Sequence, residues 1–476
     1  MGSMIKAKDL SFTYEDSDEG IKDVDFEIEA GEVVLITGNS GCGKSTLLRC
    51  LNGLIPAVTE GELKGSLNVA GKDCKDLKMH ELNMELGSVF QNPRSQFFTD
   101  NTTSELVFPM ENYGFSKEEM DVKVAELKKD YMLDDLMDRN IFSLSSGERQ
   151  MLALACARTM GQRVLLFDEP SANLDYGNAM RLGRLIERMK KQGITIIVAD
   201  HRFYYLDGII DKALFMDNGN LKVFNSEKEF KSSGYNTRSF DIFSIDTGFH
   251  NKSLSGERVA GLNGVSYKDI IKDVSLDLHK GEITVIVGNN GAGKTTLAKL
   301  FCKSLKPDSG KIDVEELPFF IMQDPDYQLF GTSVFNELTL VKNDPSRIEE
   351  CLKYLNLYEY KDAHPFELSG GQKQRLQIGM AMLCDKDVII FDEPTSGLDV
   401  SSMERVSGEI CRLGEKSAVM VISHDYEFIR NVADRIVYLK DGYIKEDFLL
   451  NEENLEKLNN IFHELEKERK DEKTQD

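Results

Sequence analysis

GEVVLITGNSGCGKSTLLRC, residues 31–50, consists of a β-branched apolar run, a glycine-rich loop and an apolar run suited to a helix. GEITVIVGNNGAGKTTLAKL, residues 281–300, has the same parts in the same order. Both loops match G-x-x-x-x-G-K-[ST], in which glycines let successive backbone N–H groups surround phosphate oxygens at a helix N-terminus. Two phosphate-binding loops are therefore expected. Their residues are Gly38, Asn39, Ser40, Gly41, Cys42, Gly43, Lys44, Ser45 and Thr46, and Gly288, Asn289, Asn290, Gly291, Ala292, Gly293, Lys294, Thr295 and Thr296.

Other motifs repeat in the same order, which indicates an internal duplication. The paired motifs are LSSGE (144–148) with LSGGQ (368–372), VLLFDEP (164–170) with VIIFDEP (388–394), and His201 with His424. The copies keep almost equal spacing from LSSGE onward, and the first copy carries extra residues before it. Two homologous domains in tandem are the simplest explanation.

The fold class predicted for each copy is α/β. Short apolar strands alternate with helical stretches, a pattern typical of a mainly parallel sheet covered on both faces. Segments 99–140 and 331–366 are expected to form an inserted helical subdomain in each copy. The predicted boundaries are 1–225 for the first domain, 226–260 for a linker, 261–447 for the second domain and 448–476 for a C-terminal helix with a charged tail. Residues 1–3 are expected to be a cloning remnant, and the apolar spacing of the C-terminal helix begins at Leu450.

The composition excludes several classes of protein. Lys plus Arg number 58 and Asp plus Glu number 81, so the formal charge is −23, and no nucleic-acid partner is expected. The cysteines form no Cys-x-x-Cys pair, which disfavours a zinc site or a disulfide framework and fits a reducing cytoplasm. No apolar run is long enough to span a bilayer, and no signal segment is recognisable.

The repeated polar residues predict phosphoryl chemistry. Lys44 and Lys294 are expected to reach the β- and γ-phosphates. The metal-binding residues expected for Mg²⁺ are Ser45, Asp168, Thr295 and Asp392. Glu169 and Glu393 come next in the chain and are placed to orient and deprotonate an attacking water. His201 and His424 follow each Glu at nearly equal spacing, which favours a contact with the γ-phosphate over a purely structural role.

Together these motifs resemble the ATP-binding cassette ATPases, and the likeness extends over residues 5–225 and 260–447. The resemblance implies tandem P-loop NTPase domains, each with an antiparallel β portion beside the parallel core, that hydrolyse ATP with Mg²⁺. It implies head-to-tail pairing of the two domains, each LSGGQ-type motif closing over the nucleotide of the other. The residues it assigns are Gln91 and Gln323 to the catalytic and Mg²⁺ sites, Ser145, Gly147, Ser369, Gly370, Gly371 and Gln372 to the closing motifs, and Tyr14 with Tyr267 to adenine stacking. For Tyr267 a packing role stays open, because its spacing to the next strand is shorter than that of Tyr14.

The first closing motif departs from the family pattern, with Ser146 in place of a glycine and Glu148 in place of a glutamine. The serine side chain is expected to crowd the backbone that approaches the γ-phosphate, and Glu148 to add negative charge there. We therefore hypothesise that the site built on Lys294 is the slower of two active sites.

A narrower resemblance follows each of the two glutamines. FQNPRSQFF (90–98) and MQDPDYQLF (322–330) both contain a second glutamine, and a Glu-Leu pair follows at Glu105 and Glu337. This segment is similar to the Q-helix region in ATPases of energy-coupling factor (ECF) transporters, which import vitamins and metal ions. The resemblance implies separate membrane subunits of T and S type, and a place at the cytoplasmic face of the cell membrane.

Two alternatives stay open. A tandem ATPase of a sugar importer commonly has a degraded second phosphate loop, whereas GNNGAGKTT (288–296) is intact. A soluble ABC translation factor acting on ribosomes usually carries TNHLD after its Asp-Glu-Pro, whereas this chain has SANLD (171–175) and SGLD (396–399). The acidic charge also suits an RNA partner poorly.

Overall fold

A computed structural model describes residues 3–15, 19–74, 77–235, 237–249 and 256–471. The chain divides into two compact units, one of Met1–Leu174 with Asn178–Asp241 and one of Asp175–Gly177 with Ile242–Asp476. Among the described residues, no helix combines the length and apolar character needed to cross a membrane.

The first unit contains ten strands and eight helices among its described residues. The strands are β1 (Ser3–Tyr14), β2 (Gly20–Glu29), β3 (Val33–Gly38), β4 (Gly61–Val69), β5 (Lys72–Asp73), β6 (Leu86–Val89), β7 (Val164–Asp168), β8 (Thr195–Ala199), β9 (Lys212–Asp217) and β10 (Asn220–Phe224). The helices are α1 (Lys44–Leu51), α2 (Leu54–Ala57), α3 (Met79–Leu82), α4 (Thr102–Asn112), α5 (Lys117–Tyr131), α6 (Ser146–Cys156), α7 (Tyr176–Lys191) and α8 (Glu227–Lys231).

The second unit repeats most of this order. Its strands are β11 (Arg258–Tyr267), β12 (Ile271–His279), β13 (Ile283–Val287), β14 (Ser309–Val314), β15 (Phe319–Ile321), β16 (Val388–Asp392), β17 (Ala418–Ile422), β18 (Arg435–Lys440) and β19 (Tyr443–Leu449). Its helices are α9 (Lys294–Phe301), α10 (Val334–Val341), α11 (Pro345–Tyr354), α12 (Gly370–Leu383), α13 (Val400–Leu413), α14 (Tyr426–Val432) and α15 (Leu455–Asp471).

The main sheet of each unit is mainly parallel and buried on both faces, as the sequence predicts. The strand orders are β10-β9-β3-β8-β7-β6 and β15-β16-β17-β13-β18-β19, with only the β9–β10 and β18–β19 pairs antiparallel. Along β3, Val33 and Leu35 belong to one hydrophobic cluster while Val34 and Ile36 belong to another. Because alternate residues point to opposite faces, both faces of this strand lie in a core.

A smaller antiparallel sheet accompanies each main sheet, in the order β2-β1-β4-β5 in the first unit and β12-β11-β14 in the second. The extra residues of the first copy form α2, β5 and α3, and its subdomain helices α4 and α5 are longer than α10 and α11. The tandem α/β fold with an antiparallel portion and a helical subdomain is therefore confirmed.

The C-terminal helix differs from its prediction at the start. It begins at Leu455 rather than Leu450, because the backbone N–H of Leu450 still donates to the carbonyl of Asp434, at 2.9 Å, beside the last strand pair. Leu458, Ile461 and Phe462 are buried, as their spacing predicts. Of the predicted charged tail, residues 472–476 lie outside the described residues.

Candidate nucleotide-binding and active sites

The parallel strand order brings the functional residues of each unit to one sheet edge. In the first unit β3, β8, β7 and β6 are consecutive neighbours, and their carboxyl ends lead into the phosphate loop, His201, Glu169 and Gln91. The second unit places β13, β17, β16 and β15 in the corresponding order. Ligands of open α/β sheets bind outside the carboxyl ends of the strands. Each unit therefore holds a complete set of candidate groups at the expected edge.

The two phosphate loops share one geometry. Each wraps around its lysine: the Lys44 ammonium donates to the carbonyls of Gly38 and Asn39 at 3.0 Å, and that of Lys294 to Gly288 and Asn289 at 2.7 and 3.0 Å. A Cβ on Gly38 would lie 2.1 Å from the carbonyl oxygen of Met216, so this close approach requires glycine. The helices α1 and α9 begin directly at the lysines and direct their free N–H groups into the loops.

A hydroxyl and a carboxylate meet beside each loop. The Thr295 hydroxyl donates to the Asp392 carboxylate at 2.8 Å, and Ser45 is the equivalent neighbour of Asp168, where it acts to lower the pKa of that carboxyl. Burial raises the pKa of Asp168, and burial together with neighbouring Glu393 raises the pKa of Asp392 to about 6. Hydroxyl and carboxylate oxygens suit Mg²⁺, which takes one or two protein oxygens plus phosphate oxygens.

Both glutamates have a backbone conformation that is rare for residues with a side chain. Glu169 has φ 45° and Glu393 has φ 50°. Their backbone N–H groups donate to the neighbouring strands, to Ala199 at 2.7 Å and to Ile422 at 2.9 Å, which holds the strained turn. Strain of this kind is concentrated at functional sites.

In the first unit the three predicted catalytic groups are in contact. The Gln91 amide donates to Glu169 at 2.6 Å, and His201 Nε2 lies 3.5 Å from the same carboxylate. Burial, with the charge of Asp200 adding to it, raises the pKa of Glu169 to about 8. The nucleotide-free site therefore favours a protonated glutamate near neutral pH.

In the second unit the histidine contacts the glutamate directly. His424 Nδ1 lies 2.7 Å from a Glu393 oxygen, and the buried Nε2 of His424 has no hydrogen-bond partner among the residues that the structure describes. A buried, unpaired ring nitrogen at this sheet edge is suited to meet a phosphate oxygen of a bound nucleotide. Gln323 follows β15 as Gln91 follows β6.

A pair of aspartates near the histidines was missed in the sequence. Asp200, which precedes His201, accepts from the backbone N–H groups of His201 at 2.7 Å and Ser171 at 3.3 Å. In the second copy the carboxylate follows the histidine: Asp425 accepts from the Thr395 hydroxyl at 3.2 Å. Both aspartates tie the histidine segment to the turn after the catalytic glutamate. Both aspartates are visible in the sequence, as ADH (199–201) and SHD (423–425). The aspartate precedes the histidine in one copy and follows it in the other, so aligning the two motifs does not reveal the shared feature.

The closing motifs start helices, and the serines cap them. Ser145 and Ser369 accept from the backbone N–H three residues on, and the side chains of Glu148 and Gln372 return to the serine N–H at 2.7 Å. Glu148 also pairs with Arg139 at 3.0 Å. The cap and Arg139 thus engage the Glu148 carboxylate within its own cassette, and its effect on a bound phosphate stays a prediction. Gly147 packs against Asn178, whereas Gly370 and Gly371 have open space where a side chain would be.

Both aromatics expected to stack on adenine end the first strand of a hairpin. Tyr14 ends β1 and hydrogen-bonds Thr46 of the phosphate-loop helix at 2.9 Å. Tyr267 ends β11, pairs with Ile271 across a shorter turn and has the Lys268 ammonium 5.2 Å from its ring centre. The two tyrosines occupy equivalent positions in the fold, and adenine stacking stays a prediction for both.

A family model described as "ABC transporter" matches residues 21–172 and 271–396, which is more than half of the chain. The chain belongs to the ATP-binding cassette family. It is a tandem ABC ATPase, and its domains bind ATP with Mg²⁺.

Similar proteins cover both halves of this ABC ATPase. A Treponema denticola protein, provisionally named an ABC transporter ATP-binding protein, is 37% identical over 94% of this chain and 97% of its own length. A Bacillus subtilis protein, provisionally named the HMP/thiamine import ATP-binding protein YkoD, is 30% identical over 92% of this chain and 90% of its own. A solved complex of the archaeal ribosome recycling factor aABCE1 has a TM-score of 0.65 at 23% identity, over 95% and 92% of the two chains, which shows a shared fold.

The raised pKa of Glu169 makes a prediction for the nucleotide-free protein. The unfolded glutamate loses its proton near pH 4.5, whereas the folded one keeps it to about 8, so the free energy of unfolding falls as pH rises across that interval. Glu169→Gln removes this cost. We expect a melting temperature at pH 8 higher than that of the unsubstituted protein by roughly 4 °C, with the difference shrinking toward pH 5.

Differential scanning calorimetry in EDTA, without nucleotide, measures this difference. The control is Glu118→Gln, at an exposed position of α5, which should leave the melting temperature unchanged at both pH values. A Glu169→Gln protein that melts with the same pH dependence as the unsubstituted one contradicts the prediction.

Proposed function

We propose that this ABC ATPase is the motor subunit of an ECF-type importer, which drives uptake of a vitamin or metal ion through separate T- and S-type membrane subunits. Its place is then peripheral, on the inner face of the cell membrane. The import function in the name of the B. subtilis relative supports this proposal, since that likeness extends over 92% of this chain.

The catalytic roles follow the geometry of each sheet edge. The lysines and loop N–H groups hold the β- and γ-phosphates, and Ser45 with Asp168, or Thr295 with Asp392, holds Mg²⁺ together with Gln91 or Gln323. When bound, Mg²⁺ neutralises charge on the phosphates. Glu169 and Glu393 orient the attacking water and accept its proton, while His201 and His424 contact the γ-phosphate.

The observation that carries the importer proposal is an exposed aromatic seven residues after each of the two glutamines. Phe98 and Phe330 are both 78% exposed, at equivalent positions of the two units. Buried glutamates fix them: Glu105 accepts from the backbone N–H of Phe98 at 3.1 Å, and Glu337 from that of Phe330 at 2.7 Å. Large apolar side chains held outward on a rigid support are typical of a surface that docks another protein.

The second glutamine of each segment connects this surface to the active site. Gln96 accepts from the N–H of Phe90 and donates to the carbonyl of Ser88, at 3.2 and 3.0 Å. Gln328 does the same with Met322 and Phe320, at 3.0 and 2.7 Å. Each clamp holds the residue directly before Gln91 or Gln323. A partner that moves Phe98 or Phe330 is therefore able to move the catalytic glutamine.

The sequence also supports a pairing of the two cassettes within one chain. Each cassette carries its own phosphate loop and its own closing motif, so the tandem chain has both halves of two composite sites. In this proposal Ser145 and Gly147 serve the nucleotide on Lys294, and Ser369, Gly370, Gly371 and Gln372 serve the one on Lys44.

Co-purification tests the importer proposal. Expressed in its own host with a tag, the ATPase should co-purify from detergent-solubilised membranes with a protein of several membrane spans, and that partner should stimulate its ATP turnover. Recovery on ribosomes, without a membrane partner, would favour the translation-factor alternative instead. The likeness to aABCE1 shows the fold and does not argue for that alternative.

Substitution of the exposed aromatics gives a sharper prediction. Phe98→Ser with Phe330→Ser should abolish co-purification and partner stimulation, while basal turnover stays within about twofold, because removing exposed anchors costs docking and not folding. The control is Val58→Ser, an exposed apolar residue outside the segment. Normal partner stimulation in the double variant would show that this surface is not the docking site.

A further inference from the structure

The residue two positions after each histidine is a buried aromatic. Phe203 follows His201 and Tyr426 follows His424, and both rings are almost inaccessible to solvent. Close-packed side chains move little without a rearrangement of their neighbours. The groups that pack against these two rings therefore help to determine where the histidines lie.

In the first unit, Phe203 packs against residues that follow the last strand. Its ring centre lies 4.6 Å from that of Phe240 and 6.2 Å from that of Phe230 on α8. The Lys231 ammonium lies 4.6 Å from the centre of the Phe240 ring on this cluster. We call residues 201–203 and 424–426 the histidine segments of the two cassettes. Phe240 thus anchors the predicted linker to the histidine segment of the first cassette.

In the second unit, Tyr426 has the equivalent arrangement. Its ring centre lies 5.1 Å from that of Phe243 and 5.0 Å from that of Phe462 on α15, and its hydroxyl donates to Asn459 at 2.5 Å. Arg430, on the same helix as Tyr426, donates to the carbonyl of Thr247 at 2.9 Å. The linker therefore holds the histidine segment of the second cassette as well.

Only Asp241 and Ile242 separate the two anchoring rings, and the division between the units falls between these residues. Three residue steps allow at most roughly 11 Å between the Cα atoms of Phe240 and Phe243. If one histidine segment moves and displaces the Phe240 or Phe243 ring packed against it, the two residues between these rings transmit the displacement to the other ring and its histidine segment.

We propose that Phe240 and Phe243 are positioning residues for hydrolysis: each fixes the histidine segment of one cassette, and the linker between them couples the two segments. This inference rests on the roles proposed above for His201 and His424. It adds that aromatic residues of the predicted linker, which connects the two cassettes, place these histidines.

Steady-state kinetics of the full chain test the positioning role. Phe240→Ala and Phe243→Ala should each lower kcat by roughly 10-fold, because a small misplacement of a catalytic group is costly, with the KM for ATP within about twofold. The leucine variants, which keep most of the apolar volume, should recover most of the loss. The matched control is Tyr235→Ala, which removes a linker aromatic whose ring stacks 4.1 Å from that of Phe215 on β9. An equal loss of kcat in the control would overturn the proposal.

A double-mutant cycle separates this inference from the histidine assignment. In a His424→Ala background, Phe243→Ala should cause no further loss, since it acts through that histidine, whereas Phe240→Ala should still lower the remaining rate. Where the steady-state rate is too low, single-turnover measurements with excess enzyme give the same comparison. Full turnover in His424→Ala would refute the histidine role itself. Additive losses for Phe243→Ala and His424→Ala would refute only the inference.

Tryptophan substitution tests the coupling independently of turnover. The chain contains no tryptophan, so Phe240→Trp and Phe243→Trp each introduce a single fluorophore. Mg-ATP should change the emission of both variants, and in a Lys294→Ala background the nucleotide on the first loop should still change the emission of Phe243→Trp. Emission at position 243 that responds only when its own cassette binds nucleotide would show that the linker does not couple the segments.

Discussion

Replacing both Glu169 and Glu393 with glutamine is expected to lower ATP turnover by roughly 10²–10³-fold, with nucleotide binding retained. Glutamine has nearly the same shape as glutamate but cannot accept the proton of the attacking water, so the loss falls on the chemical step. The size of this loss follows from the proposed role of each glutamate as general base. The strained turn that presents each glutamate should persist in the variants, because backbone hydrogen bonds to the neighbouring strands stabilise it.

The single substitutions test whether the two sites are equal. We expect LSSGE (144–148), with Ser146 in place of a glycine, to slow the site on Lys294, so Glu169→Gln should cost more turnover than Glu393→Gln. The difference should be clearest near pH 8.5, above the raised pKa of Glu169, where the first glutamate is ionised before nucleotide binds.

Phosphate release measured with saturating Mg-ATP gives these rates, and equilibrium binding of the nucleotide confirms that each variant still loads. Glu118→Gln, on the exposed surface of α5, serves as the matched control and should turn over normally. Equal losses in the two single variants would remove the asymmetry. Undiminished turnover in the double variant would remove the catalytic assignment.

The sequence predicts the arrangement of each sheet edge well, because the relevant signals are local. An apolar run that ends in a glycine loop, in Asp-Glu or in a histidine marks the carboxyl end of a buried strand. Parallel pairing then brings such ends together regardless of the residues between them. This is why the sequence predicts His201 beside Glu169, whereas Gln91 is assigned there only by the resemblance to the family.

Other features depend on contacts between distant residues, and the sequence does not reveal them. The capping box around Glu148 is a local pattern, but its ion pair with Arg139 depends on the packed helical subdomain. Asp200 and Asp425 stand on opposite sides of their histidines in the sequence. Each nevertheless accepts a hydrogen bond from the residue two positions after the catalytic glutamate. The linker reads as a mixed polar stretch, although Phe240 and Phe243 pack on residues far away in the chain.

The phosphate-loop lysines should dominate nucleotide affinity. Each ammonium is buried and donates to loop carbonyls of its own cassette, which direct it toward the expected position of the phosphates. Burial lowers the pKa of Lys294, and Glu393 opposes this shift. Removing a charged donor to phosphate costs about 1.5–3 kcal/mol, so Lys44→Ala or Lys294→Ala should weaken ATP binding at its own site by roughly 10–100-fold.

Calorimetric titration with Mg-ATP measures this effect in the Glu169→Gln, Glu393→Gln background, where hydrolysis does not consume the ligand. The protein with both lysines should bind two nucleotides with high affinity. Each single lysine variant should bind one nucleotide with high affinity, and the double lysine variant should bind none with high affinity. Arginine is not expected to substitute at either position, because its planar fork does not fit a loop shaped around an ammonium. The control is Lys6→Ala, on the exposed side of β1, which should bind two nucleotides normally. High-affinity binding of two nucleotides by the double lysine variant would contradict the assignment of both loops. It would show that the two lysines are not the cations that hold the phosphates.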